Sequence, residues 1–107
     1  MSEPTVAAVL DATFDGAELE RARELMARFE AGDVAHAQGP TRIPFAVIKI
    51  ADGSADTLAE AIAHAQRDWR DTLLWAECGD PDAHAVWARS VLGTSSRGRQ
   101  QRIAGEA

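Results

Sequence analysis

The chain has 107 residues, 17 acidic against 11 basic, with 46% hydrophobic residues and a mean hydropathy of −0.22. That length allows one domain with a single core, and the ordinary apolar content excludes global disorder. The formal net charge of −6 repels phosphate backbones and anionic lipid surfaces, which argues against nucleic-acid or membrane-surface binding by the domain.

Abundant alanine favours helix throughout, because it loses no side-chain entropy there. Residues 1–14 have two readings. Ser2 and Pro4 resemble a cap and first turn, with Val6, Val9 and Leu10 as a short helix face, or the segment is an irregular terminus packing a few side chains. Asp15 then opens a helix over 16–31. Its carboxylate is placed to accept free N–H groups of the first turn, and Glu18 completes a capping-box-like pair. Leu19, Ala22, Leu25, Met26 and Phe29 form one apolar stripe, while Glu20, Arg21, Glu24 and Arg28 line the other side. Glu24 and Arg28 make a favourable i,i+4 pair, and Gly32 is the natural stop.

Asp33 to Arg42 is a connector with room for one short turn, and Gly39-Pro40 is a firm breaker. The run Ile43 to Ala51 is contested between two states. Its residue types favour a strand, since Ile43, Val47, Ile48 and Ile50 are β-branched and Phe45 is aromatic. Its spacing allows a helix, with Ile43, Val47 and Ile50 on one face, Pro44 in a first turn and Gly53 as a left-handed stop. No other segment reads as a strand, so a lone strand could pair only across a dimer. The expectation is therefore a helix over 43–52.

Ser54 or Asp56 caps the next helix, 55–69, whose core face is Leu58, Ile62, Ala65 and Trp69. Asp71 or Thr72 marks a break before a short helix over 72–78, unless the two form one bent helix. Asp80-Pro81 is a cap followed by proline at the first helical position, which starts a helix over 81–92. Ala83, Val86, Trp87, Ser90 and Val91 are its expected buried face, and Gly93 its end. Residues 93–107 carry Arg97, Arg99 and Arg102 against Glu106 and read as a disordered basic tail. Three arginines supply only a small counterion-release contribution to nucleic-acid binding.

The expected architecture is all-α: a small bundle of four to five short helices in a single domain over 1–92, followed by the tail. A single cysteine, Cys78, excludes an intrachain disulfide and suits a reducing compartment. The N-terminus shows no basic n-region, and the apolar run Val6 to Leu10 is short for a signal peptide. No stretch reaches the ~20 apolar residues of a membrane span. The expected location is the cytoplasm.

Candidate functional residues fall in two groups. Trp75 sits beside Leu73 and Leu74 on a short helix, so the three side chains point over more than one face. With Phe45 they form a candidate interaction surface, since large apolar and aromatic residues dominate protein contacts. Self-association or another protein partner follows from that reading. Arg67, Asp68, Arg70 and Asp71 form a dense charge cluster. Arg67 and Asp71 pair at i,i+4 if the helix continues, or Arg67, Arg70 and Asp71 organise a site for a small anionic ligand. Cys78, Asp80, Asp82 and His84 are each possible metal ligands, but their spacing matches no strong pattern. No catalytic constellation is present in the pattern, and no cofactor or metal is implied.

The segment Ile43 to Glu77 resembles a group of small bacterial proteins. In these an apolar run ending in Lys-aliphatic and a glycine precedes a helix and an Asp-Trp/Tyr-Arg-Asp run. Lys49, Gly53, Asp68, Trp69, Arg70 and Asp71 carry the resemblance. It implies a helical domain and no particular activity. The main functional expectation is a non-enzymatic interaction module that self-associates, and the alternative is a small-ligand or anion-binding regulator using Arg67 and Arg70.

Overall fold

A computed structural model describes the backbone of residues 4–104 and the side chains of residues 4–93. Among them lie α1 (Val6–Thr13), α2 (Gly16–Glu30), a short 3-10 turn (Val34–His36), α3 (Arg42–Ala51), α4 (Ala55–Trp75) and α5 (Ala83–Ala104). The all-helical expectation holds, and no strand occurs among the described residues. The expected tail, 93–107, falls almost wholly on residues whose side chains lie outside the described set, and Gly93 is not a boundary of α5.

The contested run is the centre of the molecule. Ile43 to Ile48 are six consecutive buried residues of α3, a pattern that neither a half-exposed strand nor a surface helix produces. A helix apolar all round must be covered on every side, and α1, α4, α5 and the 3-10 turn all pack against it, with the α4 contact the most extensive. This is why β-branched residue types lose here to tertiary burial. Each large apolar side chain taken from water contributes about 1.5–3 kcal/mol.

The ends of the helices differ in detail from the sequence expectation. The Ser2 cap lies outside the described residues, and Thr5 caps α1 by accepting from the Ala8 N–H at 3.1 Å. Asp15 stands at the N-cap position of α2 but makes no side-chain bond. The next residue, Gly16, turns the chain at φ +54°, a conformation that suits glycine. Glu18, expected to complete the capping box, instead accepts from the Ala55 N–H at 2.7 Å. It therefore caps α4, together with Ser54, which accepts from the Thr57 N–H at 3.2 Å.

Two helix stops are left-handed at residues other than glycine. Asp52 (φ 49°) ends α3 and Glu77 (φ 61°) follows α4. Around Glu77 the Cys78 N–H donates to the Leu73 carbonyl at 2.7 Å and the Glu77 N–H to the Leu74 carbonyl at 3.0 Å. That pair of bonds is a Schellman motif, so Glu77 performs the stop. Gly53 has a separate reason to be glycine: at φ +88° a Cβ there would lie 3.2 Å from the Thr13 carbonyl at the end of α1.

The stripe of α2 faces the core as expected, with Ala22, Met26 and Phe29 buried and Leu19 and Leu25 partly buried against them. Phe14, which the sequence pattern did not single out, is among the largest fully buried side chains. On α5 the buried face is turned from the expected one. Ala88 is buried and Trp87 packs edge-on to Phe45, with ring centroids 6.5 Å apart, while Val86 is 56% exposed and Ser90 is exposed. Among the described residues the two arginine–carboxylate pairs run between helices, Arg21 with Asp56 and Arg23 with Asp11, and the expected Glu24–Arg28 pair is not formed. Exposed pairs of this kind contribute about 0–1 kcal/mol each.

Candidate functional site

The region around the second half of α4 gathers most of the residues that the sequence singled out. Asp68 leaves the helical conformation (φ −157°, ψ 85°) in the middle of α4. Its carboxylate accepts from the Asp71 N–H at 3.2 Å, and its carbonyl accepts from the Thr72 hydroxyl at 3.1 Å. Asp68 thus ends one helical segment and caps the next, so the expected break is present but falls three residues earlier than Asp71, and α4 is two helical segments joined across a kink.

The bend separates Arg67 from Asp71. The expected pair between them is replaced by His64, whose Nε2 lies 2.8 Å from the Asp71 carboxylate. The same imidazole meets Trp75 edge-on at 5.4 Å. His64 belongs to the first segment and both its partners to the second, so it spans the bend from outside. On a straight helix residues seven apart are offset by about 10.5 Å along the axis, so it is the bend that brings this pair together.

Past the bend, helical geometry sorts the three adjacent apolar residues. Thr72, Leu73 and Ala76 turn inward and are buried, while Leu74 is 69% and Trp75 51% exposed. The candidate surface therefore keeps Leu74 and Trp75 and loses its other two members. Leu73 is only 4% exposed because it continues the stripe of Leu58, Ile62 and Ala65. Phe45 is 1% exposed, enclosed between α3 and α5 by Trp87 and by His84, whose ring lies 5.9 Å away. Both are core residues.

The anion-binding alternative is rearranged. Arg70 holds its guanidinium 4.8 Å from the centre of the Trp69 ring, an attraction worth about 0.5–1 kcal/mol at an exposed site. It lines an open groove of about 430 Å³ with Trp69, Leu74 and Gly79, and the second guanidinium there belongs to Arg42. Arg67 is exposed and does not line the groove, and Asp71 is held by His64. Arg42 donates to the carbonyls of Cys78 at 3.1 Å and Gly79 at 2.7 Å and to Gln38 Oε1 at 3.1 Å. It ties the turn after α4 to the start of α3. The sequence reading passed over Arg42 because it is remote in the chain from Arg70. Its one local signal is a cation in the first turn of a helix, where the macrodipole disfavours positive charge.

Neither Arg42 nor Arg70 pairs with a carboxylate among the described residues, and no residue lining the groove is acidic. Two side chains nearby have shifted protonation. Burial holds the His84 imidazole below its ordinary range, with the Arg42 charge adding to this and Asp82 opposing it. Burial also pushes the Cys78 thiol up, against the smaller influence of Lys49 and Arg42. A buried thiol kept protonated is a poor nucleophile and a poor metal ligand. Among the described residues no group of three or more histidine, cysteine or acidic side chains is placed to hold a metal ion, and no helix is long and apolar enough to cross a membrane. Comparison with family models, with curated proteins and with solved structures finds no match to this chain.

Proposed function

We propose that this protein is a non-enzymatic protein-interaction module, docking another chain on the face formed by Leu74 and Trp75. The observation that carries the reading is their joint exposure on a short, well-fixed helical segment. Elsewhere among the described residues the large apolar side chains are buried or partly buried, apart from Val86. Tryptophan and flanking arginine are the residue types that dominate protein interfaces, and Trp75 is held on one side by His64, which reduces the entropy lost on docking. The proposed setting is the cytoplasm, in keeping with a single, free and buried cysteine.

Self-association is the simplest form of this reading. Light scattering behind a sizing column, across a concentration series, tests it. The expected result is a dimer or higher species that Trp75→Ser disperses without loss of helicity. A monomer at every concentration overturns self-association and reserves the face for a different protein. The alternative of an anion site built on Arg67 and Arg70 is replaced by the pair Arg42 and Arg70, on which the following inference is built.

A further inference from the structure

Building on the interaction reading, we propose that the groove beside Leu74 seats an acidic segment of a partner protein, with an Asp or Glu directed at Arg70 and an adjacent bulky apolar side chain against Leu74 and Trp69.

The argument begins with charge. The chain carries 17 acidic and 11 basic residues, so a basic side chain on this surface has many acids to pair with. Arg21 and Arg23 do so. Among the described residues Arg28, Arg42, Lys49, Arg67, Arg70 and Arg89 do not, and of these Arg42 and Arg70 share one groove, whose walls contain no acid. The groove is thus a local positive site on an acidic molecule, complementary to a carboxylate. Arg42 commits its terminal nitrogens to the carbonyls of Cys78 and Gly79 and to Gln38, with Nε buried and unpartnered, so it contributes fixed charge. Arg70 has no such partners and is steadied over Trp69. A guanidinium already held in place loses less freedom on forming the paired bonds that a carboxylate accepts.

The shape argues for a chain segment. A space of about 430 Å³ suits one or two side chains, and its apolar edge runs outward onto Leu74, which is 69% exposed. An extended phosphate polymer would need more cations than two, against a net charge of −6. An acidic segment of a different protein meets the local charge and the apolar wall together.

The test is a selection of random dodecapeptides against the full chain, followed by anisotropy measurements on labelled versions of the peptides recovered. The expected peptides place Asp or Glu next to Leu, Phe or Trp. Their binding weakens ~10-fold or more in Arg70→Glu, as expected for loss of a close charge pair, and weakens with added salt. It also weakens in Leu74→Ser. Both positions are exposed, so the variants keep their helicity by circular dichroism. Peptides that carry no acidic preference and bind Arg70→Glu unchanged, but lose affinity in Leu74→Ser, overturn the acidic partner and leave the interaction reading standing. No enrichment above that obtained with the Leu74→Ser chain overturns the groove as a docking site, and the light-scattering series then judges the interaction reading by itself. A dimer that Arg70→Glu breaks and no selected peptide displaces overturns the proposal in favour of a second copy.

Discussion

Adjacent residues in this protein have opposite roles, and helical geometry decides which. Leu73 and Leu74 are chemically identical, yet one completes the core and the other stands in solvent. Leu73→Ala should cost about 2–5 kcal/mol, the range for truncating a buried leucine. Leu74→Ala should stay within about 0.5 kcal/mol, as for a surface change. Urea denaturation of the two variants measures the difference, and equal costs would contradict the inward and outward assignment. The pair also shows why composition alone misdirects a search for surfaces. Phe45 looks like a contact residue in the sequence, but Trp87 and His84 close over it.

At the scale of elements, the caps are exchanged between helices. Asp15 stands where a capping side chain belongs and bonds to nothing, while Glu18 leaves its own helix to cap α4 at the Ala55 N–H. Loss of a side-chain cap costs about 0.5–2 kcal/mol. Glu18→Ala should fall in that range, and Asp15→Ala should cost clearly less, because it removes no such bond. Thermal melts of the two variants check this, and a larger loss in Asp15→Ala would restore the local capping box. The exchange has an architectural consequence. A residue of α2 that satisfies the first turn of α4 fixes the approach of the two helices, which the Arg21–Asp56 contact alone, being exposed, does weakly. The bend in α4 follows the same logic, since Asp68 caps the second segment and His64 braces it from the first. The face of Leu74 and Trp75 is thereby aimed by two short-range interactions.

For the whole molecule, stability should carry the mark of how α5 closes on α3. His84 sits at that contact, and burial, with help from Arg42, keeps its folded pKa below the ordinary value. Above the unfolded histidine value of about 6.5 both states hold the ring neutral, so the contribution of His84 to stability is fully present. Below it the unfolded chain takes up a proton that the folded protein resists, and stability falls with pH. The free energy of unfolding should therefore decline below about pH 6.5, and His84→Gln should flatten that part of the profile. An identical slope in the variant would show that carboxylates alone account for the acid loss.

By itself the sequence determined the helical class, the core stripes of α2 and of the first part of α4, and the neighbourhood in which the candidate site lies. These follow from local causes: a period of 3.6, alanine content and the residues that start and stop helices act within a few positions of the chain. The state of residues 43–51 depended on a different kind of fact. β-branched residue types pulled one way and the lack of a strand partner the other, and enclosure on every side by four other elements makes α3 the answer. The partners of the charged residues were equally out of reach. Glu18 finds Ala55, Arg42 finds Cys78 and Gly79, and Arg70 shares a groove with Arg42, each across a long stretch of chain. Spacing predicts neighbours along a helix, whereas a site between helices exists only once packing has brought the helices together.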